Sequence, residues 1–287
     1  RTGKLLSPAR RREAVHHVMG VFQVSQRRAC RALGQVRSSQ RHQPLKRKED
    51  DVARRRIIAL AREYGRYGYR RITAMLRQRG WRVNAKRVAR IWRREGLKVP
   101  SKQPKRGRLW LNDGSCIRLR PEYPNHVWSY DFVEDRTHDG RKYRMLNIID
   151  EFTRECMAIR IGRKLKSTDV IDVLSDLFIL RGIPTHVRSD NGPEFISHAL
   201  EIWAEQHGIK LDFIKPGKPT QNAYIERFNR TYRNEVLDCY LFNSLTEVKE
   251  ITDSWIEEYN YDRPHESLND LPPKMYERLN EENSIKI

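Results

Sequence analysis

RSDNGPEF, residues 188–195, decides how this chain is read. Its first residues close a short strand, THVRSD (185–190), and Asn191-Gly192-Pro193 then turn the chain away. Asn, Gly and Pro are ordinary turn formers, and Asp sits comfortably beside them. A carboxylate left at the lip of a strand can also be a ligand. It then needs partners elsewhere in the chain.

The segments around it predict the fold. Upstream lie three strands: HVWSYDFVE containing Asp131, RKYRMLNIID, and CMAIRIG. Asp139-Gly140 marks a hairpin turn between the first two. Ser167-Thr168 starts a helix with Val170, Val173, Leu174, Leu177 and Phe178 as its apolar stripe, and Pro184 ends that segment. After RSDNGPEF come a helix through AEQHG, a fifth strand LDFIKPG, and a helix over PTQNAYIERFNRTYRNEVL. Three strands followed by α-β-α-β-α predict a mixed five-stranded α/β sheet covered by helices.

In such sheets ligands bind beyond strand ends where neighbouring strands meet. Asp131 and Asp190 can meet there. Glu226 on the last helix supplies a third acid; it shares a face with Asn222 four residues before and Arg233 seven after. Phe228, Tyr232 and Trp128 suit the core. Three adjacent carboxylates raise one another's pKa, and a divalent cation resolves that conflict. Oxygen-only ligands select Mg²⁺ or Mn²⁺ over Zn²⁺, and two such ions would serve in-line phosphoryl transfer. Spacing alone leaves a second reading open, with Asp131 an exposed strand residue and Glu226 a solvated helix charge.

Charge divides the chain. The 287 residues carry a net +20. Residues 1–108 hold 33 Lys+Arg against 6 Asp+Glu, which leaves 24 against 31 for the remainder. The front end is therefore net +27 and the rest net −7, the footprint of a polyanion binder joined to a different machine. No apolar run approaches the roughly 20 residues of a membrane helix. The four Cys lack CxxC spacing, and His16-His17 beside Cys30 lacks a second ligand pair, so zinc and a disulfide framework are not expected. Reduced cysteines suit the cytosol. The start, Arg1-Thr-Gly-Lys, has no signal-like segment and no initiator Met, which fits a fragment or the downstream part of a longer product.

The basic part reads as helices. Ser7-Pro8 opens one, with Val15 and Val18 on its apolar side; Ser25 caps a second, QRRACRAL, which Gly34 ends. This is a helix-turn-helix pattern over 1–36, with Arg27, Arg28 and Arg31 available to DNA. Residues 37–50 read as a linker. A second helical DNA-binding module spans 51–99. Ile58, Ala61 and Tyr64 face one way on its first helix, Ile72, Met75 and Leu76 on its second, and Val88, Ile91 and Trp92 on a third capped by Asn84. Arg70, Arg71, Lys86, Arg87, Arg90, Arg93 and Arg94 lie on the opposite faces, for phosphate more than base edges. Residues 100–120 are a basic linker, 121–240 the catalytic core, and 241–287 a C-terminal helical tail.

HVWSYDF around Asp131, RSDNGPEF around Asp190 and KPTQNAYIERFNRTYRNE around Glu226 resemble the three blocks of a DDE transposase/retroviral-integrase core, which is RNase H-like. Thirty-five residues separate Asp190 from Glu226, as in the DD(35)E group. RRACRAL, YGYRRITAMLRQRGWRVNAKRVARIWRREGL and the end YNYDRPHESLNDLPPKMY resemble the second-frame protein of the IS-three insertion-sequence family. The resemblance implies that Asp131, Asp190 and Glu226 bind two Mg²⁺ (or Mn²⁺), nick DNA at the element's end and let the freed 3′-OH attack another phosphodiester. It also implies multimers on double-stranded DNA that hold the terminal inverted repeats, a target DNA, and pairing or fusion with an upstream helix-turn-helix/leucine-zipper protein in the bacterial cytoplasm, at the nucleoid. Asn191 would orient Asp190 or bond DNA, or serve the turn alone. Asn222 and Arg233 would contact DNA near the acids, as would Lys215 and Lys218, for which a solvated loop is the alternative. His265 in RPHESL has no assigned role. Two rival readings are a nuclease of this fold that cuts without joining, and a catalytically silent DNA-binding regulator.

Overall fold

The computed structural model describes residues 8–41, 48–100, 119–190, 198–214 and 222–284. The chain divides into two compact units, residues 1–58 and 59–287. In the first, α1 (Pro8–Phe22), α2 (Gln26–Ala32) and α3 (Arg37–Arg41) surround Val15, Ala29 and Cys30. Ser25 caps α2, its hydroxyl accepting from Arg28 N–H at 3.4 Å. The helix α3 stands where a linker was expected from polarity. Gln40 explains it: this polar side chain is buried, and its Nε2 donates to Arg12 O of α1 at 3.2 Å.

α4 (Lys48–Glu63) runs across the division between the units. Its buried stripe is Ala53, Ile57, Leu60 and Tyr64, not the expected Ile58 and Ala61. The two stripes differ by one residue, about 100° of helix. α5 (Tyr69–Gln78) and α6 (Ala85–Arg94) follow. They bury Ile72, Met75 and Leu76 against Val88, Ile91 and Trp92, as periodicity required. Asn84 Oδ1 caps α6 by accepting from Lys86 N–H at 2.8 Å.

Five strands form one sheet in the order β3-β2-β1-β4-β5. They are β1 (Val127–Arg136), β2 (Lys142–Asp150), β3 (Cys156–Gly162), β4 (His186–Ser189) and β5 (Lys210–Phe213). The first three pair antiparallel; β4 and β5 run parallel to β1. The β1–β2 turn carries Gly140 at φ +79°, where Cβ would be strained, and Asp139 accepts from Arg141 N–H at 3.2 Å. Strand alternation sorts side chains onto two faces. Trp128, Tyr130, Leu146 and Ile148 pack beneath α7 (Ser167–Arg181) and α8 (His198–Gln206). Val133, Tyr143, Met145 and Ile149 pack beneath α9 (Ala223–Tyr232) and α10 (Leu245–Tyr261). This is the RNase H-like mixed sheet that the motif blocks implied.

The expected tail after residue 240 is not peripheral. α10 contributes Val248, Trp255 and Tyr259 to the second core, and Asn260 bonds both Cys156 N–H and Cys156 C=O of β3 at 2.9 Å. A short π-helical turn, Arg233–Leu237, prolongs α9, and α11 (Pro273–Ser284) ends the described chain. Among the described residues no helix is long and apolar enough to cross a membrane.

Candidate active site

Register brings two of the acids together. β1 and β4 pair as Val127↔His186, Trp128↔Val187 and Ser129↔Arg188. The same offset, continued, sets Asp131 level with Asp190, one residue past the end of β4. Odd-numbered β1 residues face α9, so Asp131 looks toward the helix that carries Glu226. Asp131 stands directly opposite Asn147 of β2.

Electrostatics agree with this placement. Burial, then the Asp190 and Glu226 carboxylates, push Asp131 up from 3.8 to about 7, against hydrogen bonds that favour its ionised form. Glu226 is exposed and also raised, by desolvation, with Arg230 opposing. Asp131 therefore lies within electrostatic reach of both other acids. Among the described residues no three His, Cys, Asp or Glu side chains close on one centre at ligand distance.

Asp131 is held at both oxygens. Oδ1 accepts from Phe132 N–H at 2.8 Å, and Oδ2 accepts from Asn229 Nδ2 at 2.8 Å. Asn229 Oδ1 in turn accepts from Asn147 Nδ2 at 2.7 Å. The relay Asn147–Asn229–Asp131 ties β2, α9 and β1 at one point. Sequence reasoning missed Asn229, although it lies three residues after Glu226 and so on the same helical face. Asn147 could be found only once its cross-strand partner was known.

β4 is anchored by a second missed feature. Arg188 is 2% exposed. It donates to Glu151 Oε2 at 2.8 Å, to Asp212 Oδ2 at 2.7 Å and to Leu119 O at 3.2 Å, and Ser129 Oγ–H donates to the other Glu151 oxygen. These bonds lock β4 to β1 and β5 two residues before Asp190. A buried guanidinium needs such partners. Arg188 stands in the motif itself, but its partners are 24, 37 and 69 residues away.

The other expected site residues separate. Asn222 is buried at the start of α9, with Oδ1 lacking a partner among the described residues. Arg233 turns toward β1, donating to Glu134 O at 2.8 Å and pairing with Asp135 at 3.4 Å. Asn191, Lys215 and Lys218 lie outside the described residues. Arg27, Arg28 and Arg31 are exposed on α2, and Arg70, Lys86, Arg90, Arg93 and Arg94 on α5 and α6; Arg87 is half-buried. Arg71 is drawn inward, 3.6 Å from Glu235, with its guanidinium over the Tyr67 ring. Trp128 is core, as expected, its indole N–H donating to Asn125.

The comparisons decide the family. Residues 121–219 and 207–273 match integrase core domain models, and 47–105 match an HTH-like domain. The uncharacterized 39.2 kDa protein of insertion element IS476 from Xanthomonas euvesicatoria is 38% identical over 96% of this chain and 78% of its own length. The uncharacterized 31.7 kDa protein of insertion element IS407 from Burkholderia multivorans is 38% identical over 88% of this chain and 90% of its own length. The chain belongs to the integrase-core transposases of insertion elements. A transposase named for IS904 from Lactococcus lactis is 27% identical over 81% of this chain and 96% of its own length. This transposase thus joins an HTH-like DNA-binding domain to an integrase-core enzyme. The match running to residue 273 accords with α10 belonging to the core.

Proposed function

We propose that Asp131, Asp190 and Glu226 form the catalytic centre, which nicks DNA at the element's terminal inverted repeats and transfers the freed 3′-OH to target DNA. The carrying observation is the joint pressure of Asp190 and Glu226 on Asp131, from three separate elements. The donor set is oxygen-only and carries more negative charge than a site can hold unaided, which fits a hard divalent cation. These acids would hold Mg²⁺ or Mn²⁺, two ions in the fullest form. Bound there, such ions would supply charge stabilisation to the phosphoryl transfer and make the attacking hydroxyl more acidic.

The chain's own residues do the positioning. Asn229 and Phe132 N–H each take one lone pair of Asp131 and fix the plane of its carboxylate, leaving the others for a ligand. Arg188 and its partners hold β4, and with it Asp190, in register. Exposed Arg27, Arg28 and Arg31 on α2, and Arg70, Lys86, Arg90, Arg93 and Arg94 on α5 and α6, would hold DNA phosphates. Assembly on DNA as a multimer, pairing with an upstream protein and action in the cytoplasm belong to this reading.

The test uses labelled duplexes carrying the element's terminal repeat, with Mg²⁺ or Mn²⁺. Joined products should appear, and should vanish with EDTA and with Asp190→Asn, while DNA binding persists. Joining by Asp190→Asn would overturn the assignment. Nicking without joining would identify a nuclease instead.

A further inference from the structure

α9 has two working faces. Glu226 and Asn229 point to the acids; Tyr224, Arg227, Phe228 and Thr231, on the other flank, line a cavity of about 760 Å³. The cavity lies within residues 59–287, between α5, the β2 end, α9 and the loop after α10. Seven arginines line it against two carboxylates, Glu266 and Asp270. Arg71 and Arg263 share Glu235 as their partner. Arg66, Arg70 and Arg227 have no ion-pair partner among the described residues.

One lining side chain packs on the core but leaves a polar atom unmet. His265 stacks edge-on against Tyr259, with ring centroids 5.0 Å apart. Its Nε2 is buried and lacks a hydrogen-bond partner among the described residues. A buried polar nitrogen without a partner costs free energy. Burial and four cations, Arg263, Arg71, Arg154 and Arg227, hold its imidazole well below the ordinary histidine range. A neutral imidazole amid arginines lacks what an oxyanion would supply: an acceptor for N–H and a counter-charge for the guanidinium groups. Aromatic faces stand beside the cations, with Arg154 3.4 Å from the Tyr224 ring centroid and Arg70 above Tyr69.

We propose that this cavity is a phosphate site, where Arg154, Arg227 and the neighbouring arginines hold an oxyanion and His265 Nε2–H donates to it. The ligand favoured is a phosphate of a DNA strand. Four of the lining arginines, Arg66, Arg70, Arg71 and Arg77, come from the HTH-like domain, and Tyr69 and Tyr224 supply rings on which unstacked bases could stack. The choice of a strand over free phosphate rests on the DNA-acting reading above; the oxyanion itself does not.

The test is run on the full chain carrying Asp190→Asn, in EDTA, so that it does not depend on the catalytic acids. ¹³C-labelled histidine gives a resonance for His265, identified by its loss in His265→Gln. The probes are inorganic phosphate and a thymidine tetranucleotide. Without probe, the His265 signal should change little as pH falls through the ordinary histidine range. With the tetranucleotide it should shift and titrate at higher pH, and Arg154→Ala and Arg227→Ala should each weaken binding on the order of tenfold. Arg227 is exposed on its helix, so that variant should keep the parent's circular dichroism. Inorganic phosphate acting as well as the tetranucleotide would support the oxyanion site and assign it to free phosphate. A His265 signal unmoved by both probes, or moved equally in both arginine variants, would overturn the proposal.

Discussion

Asp131→Asn should make the metal-free protein more stable at pH 8. Asp131 is pushed from 3.8 to about 7 in the folded chain. A carboxyl with a raised folded pKa resists ionisation. Its penalty is absent below the unfolded value, grows as pH climbs from 3.8 toward 7, and is constant above. About three pKa units at 1.36 kcal/mol each amount to about 4 kcal/mol. The substitution does not recover all of it. An Asn amide set against Asn229 Nδ2 forces Asn229 to turn over, and Asn147 with it. Asn147 Oδ1 is buried without a partner among the described residues, so that side chain can reverse. A lost or strained hydrogen bond costs about 1 kcal/mol. The net expectation is about 3 kcal/mol of stabilisation at pH 8 and almost none near pH 4. Urea unfolding in EDTA, followed by the fluorescence of buried Trp128, reads this as a midpoint rise of about 1 M for a m-value of about 3 kcal/mol/M. With Mg²⁺ in place of EDTA, the parent should gain stability and the variant should not. Equal stability gains at both pH values, or a variant weaker than the parent at pH 8, would refute the raised Asp131 carboxyl that burial, and then the Asp190 and Glu226 carboxylates, produce.

Three further outcomes follow from the same geometry. Asn229→Ala should lower joining by about 10- to 100-fold and move the acid limb of the pH–rate profile upward, since Asp131 loses a donor to its ionised form; an unshifted limb would remove Asn229 from the site. Arg188→Ala should destabilise the fold by about 3–5 kcal/mol, because Glu151 is left charged and buried, and adding Glu151→Gln should restore part of that in urea unfolding. Affinity for random-sequence duplex should fall steeply with salt, and Lys86→Ala should reduce the slope of log K against log salt by about 0.9 if Lys86 meets a phosphate, as fluorescence anisotropy across a salt series would show.

Local rules made much of this protein legible from its residues. Ser25 and Asn84 cap helices because the cap bond spans only two or three residues. The stripes of α5 and α6, the Gly140 turn and the alternation that buries Trp128 and Tyr130 are equally local. So are the three acids, which stand in motif blocks, and the charge division of the chain. What failed was also physical. On α4 the apolar pattern points to Ile58, Ala61 and Tyr64, of which only Tyr64 is buried, because Ile57 and Ile58 are equally apolar and only the packed fold chooses between them. Polarity hid α3, whose Gln40 is buried through a bond to another helix. Trp255 and Tyr259 read as a tail until α10 closed the second core.

The sequence by itself determined which residues could serve: three carboxylates, their spacing, an arginine-rich front and the strand–helix order. Only the tertiary structure decided who meets whom. The parallel register of β1 and β4 levels Asp131 with Asp190, and the antiparallel register of β1 and β2 delivers Asn147 to Asn229. The packing of α9 aims Glu226 one way and Arg227 the other. These pairings join residues up to 98 positions apart in the chain. Hydrogen-bond periodicity along the chain carries no information about them, and burial of both sheet faces does.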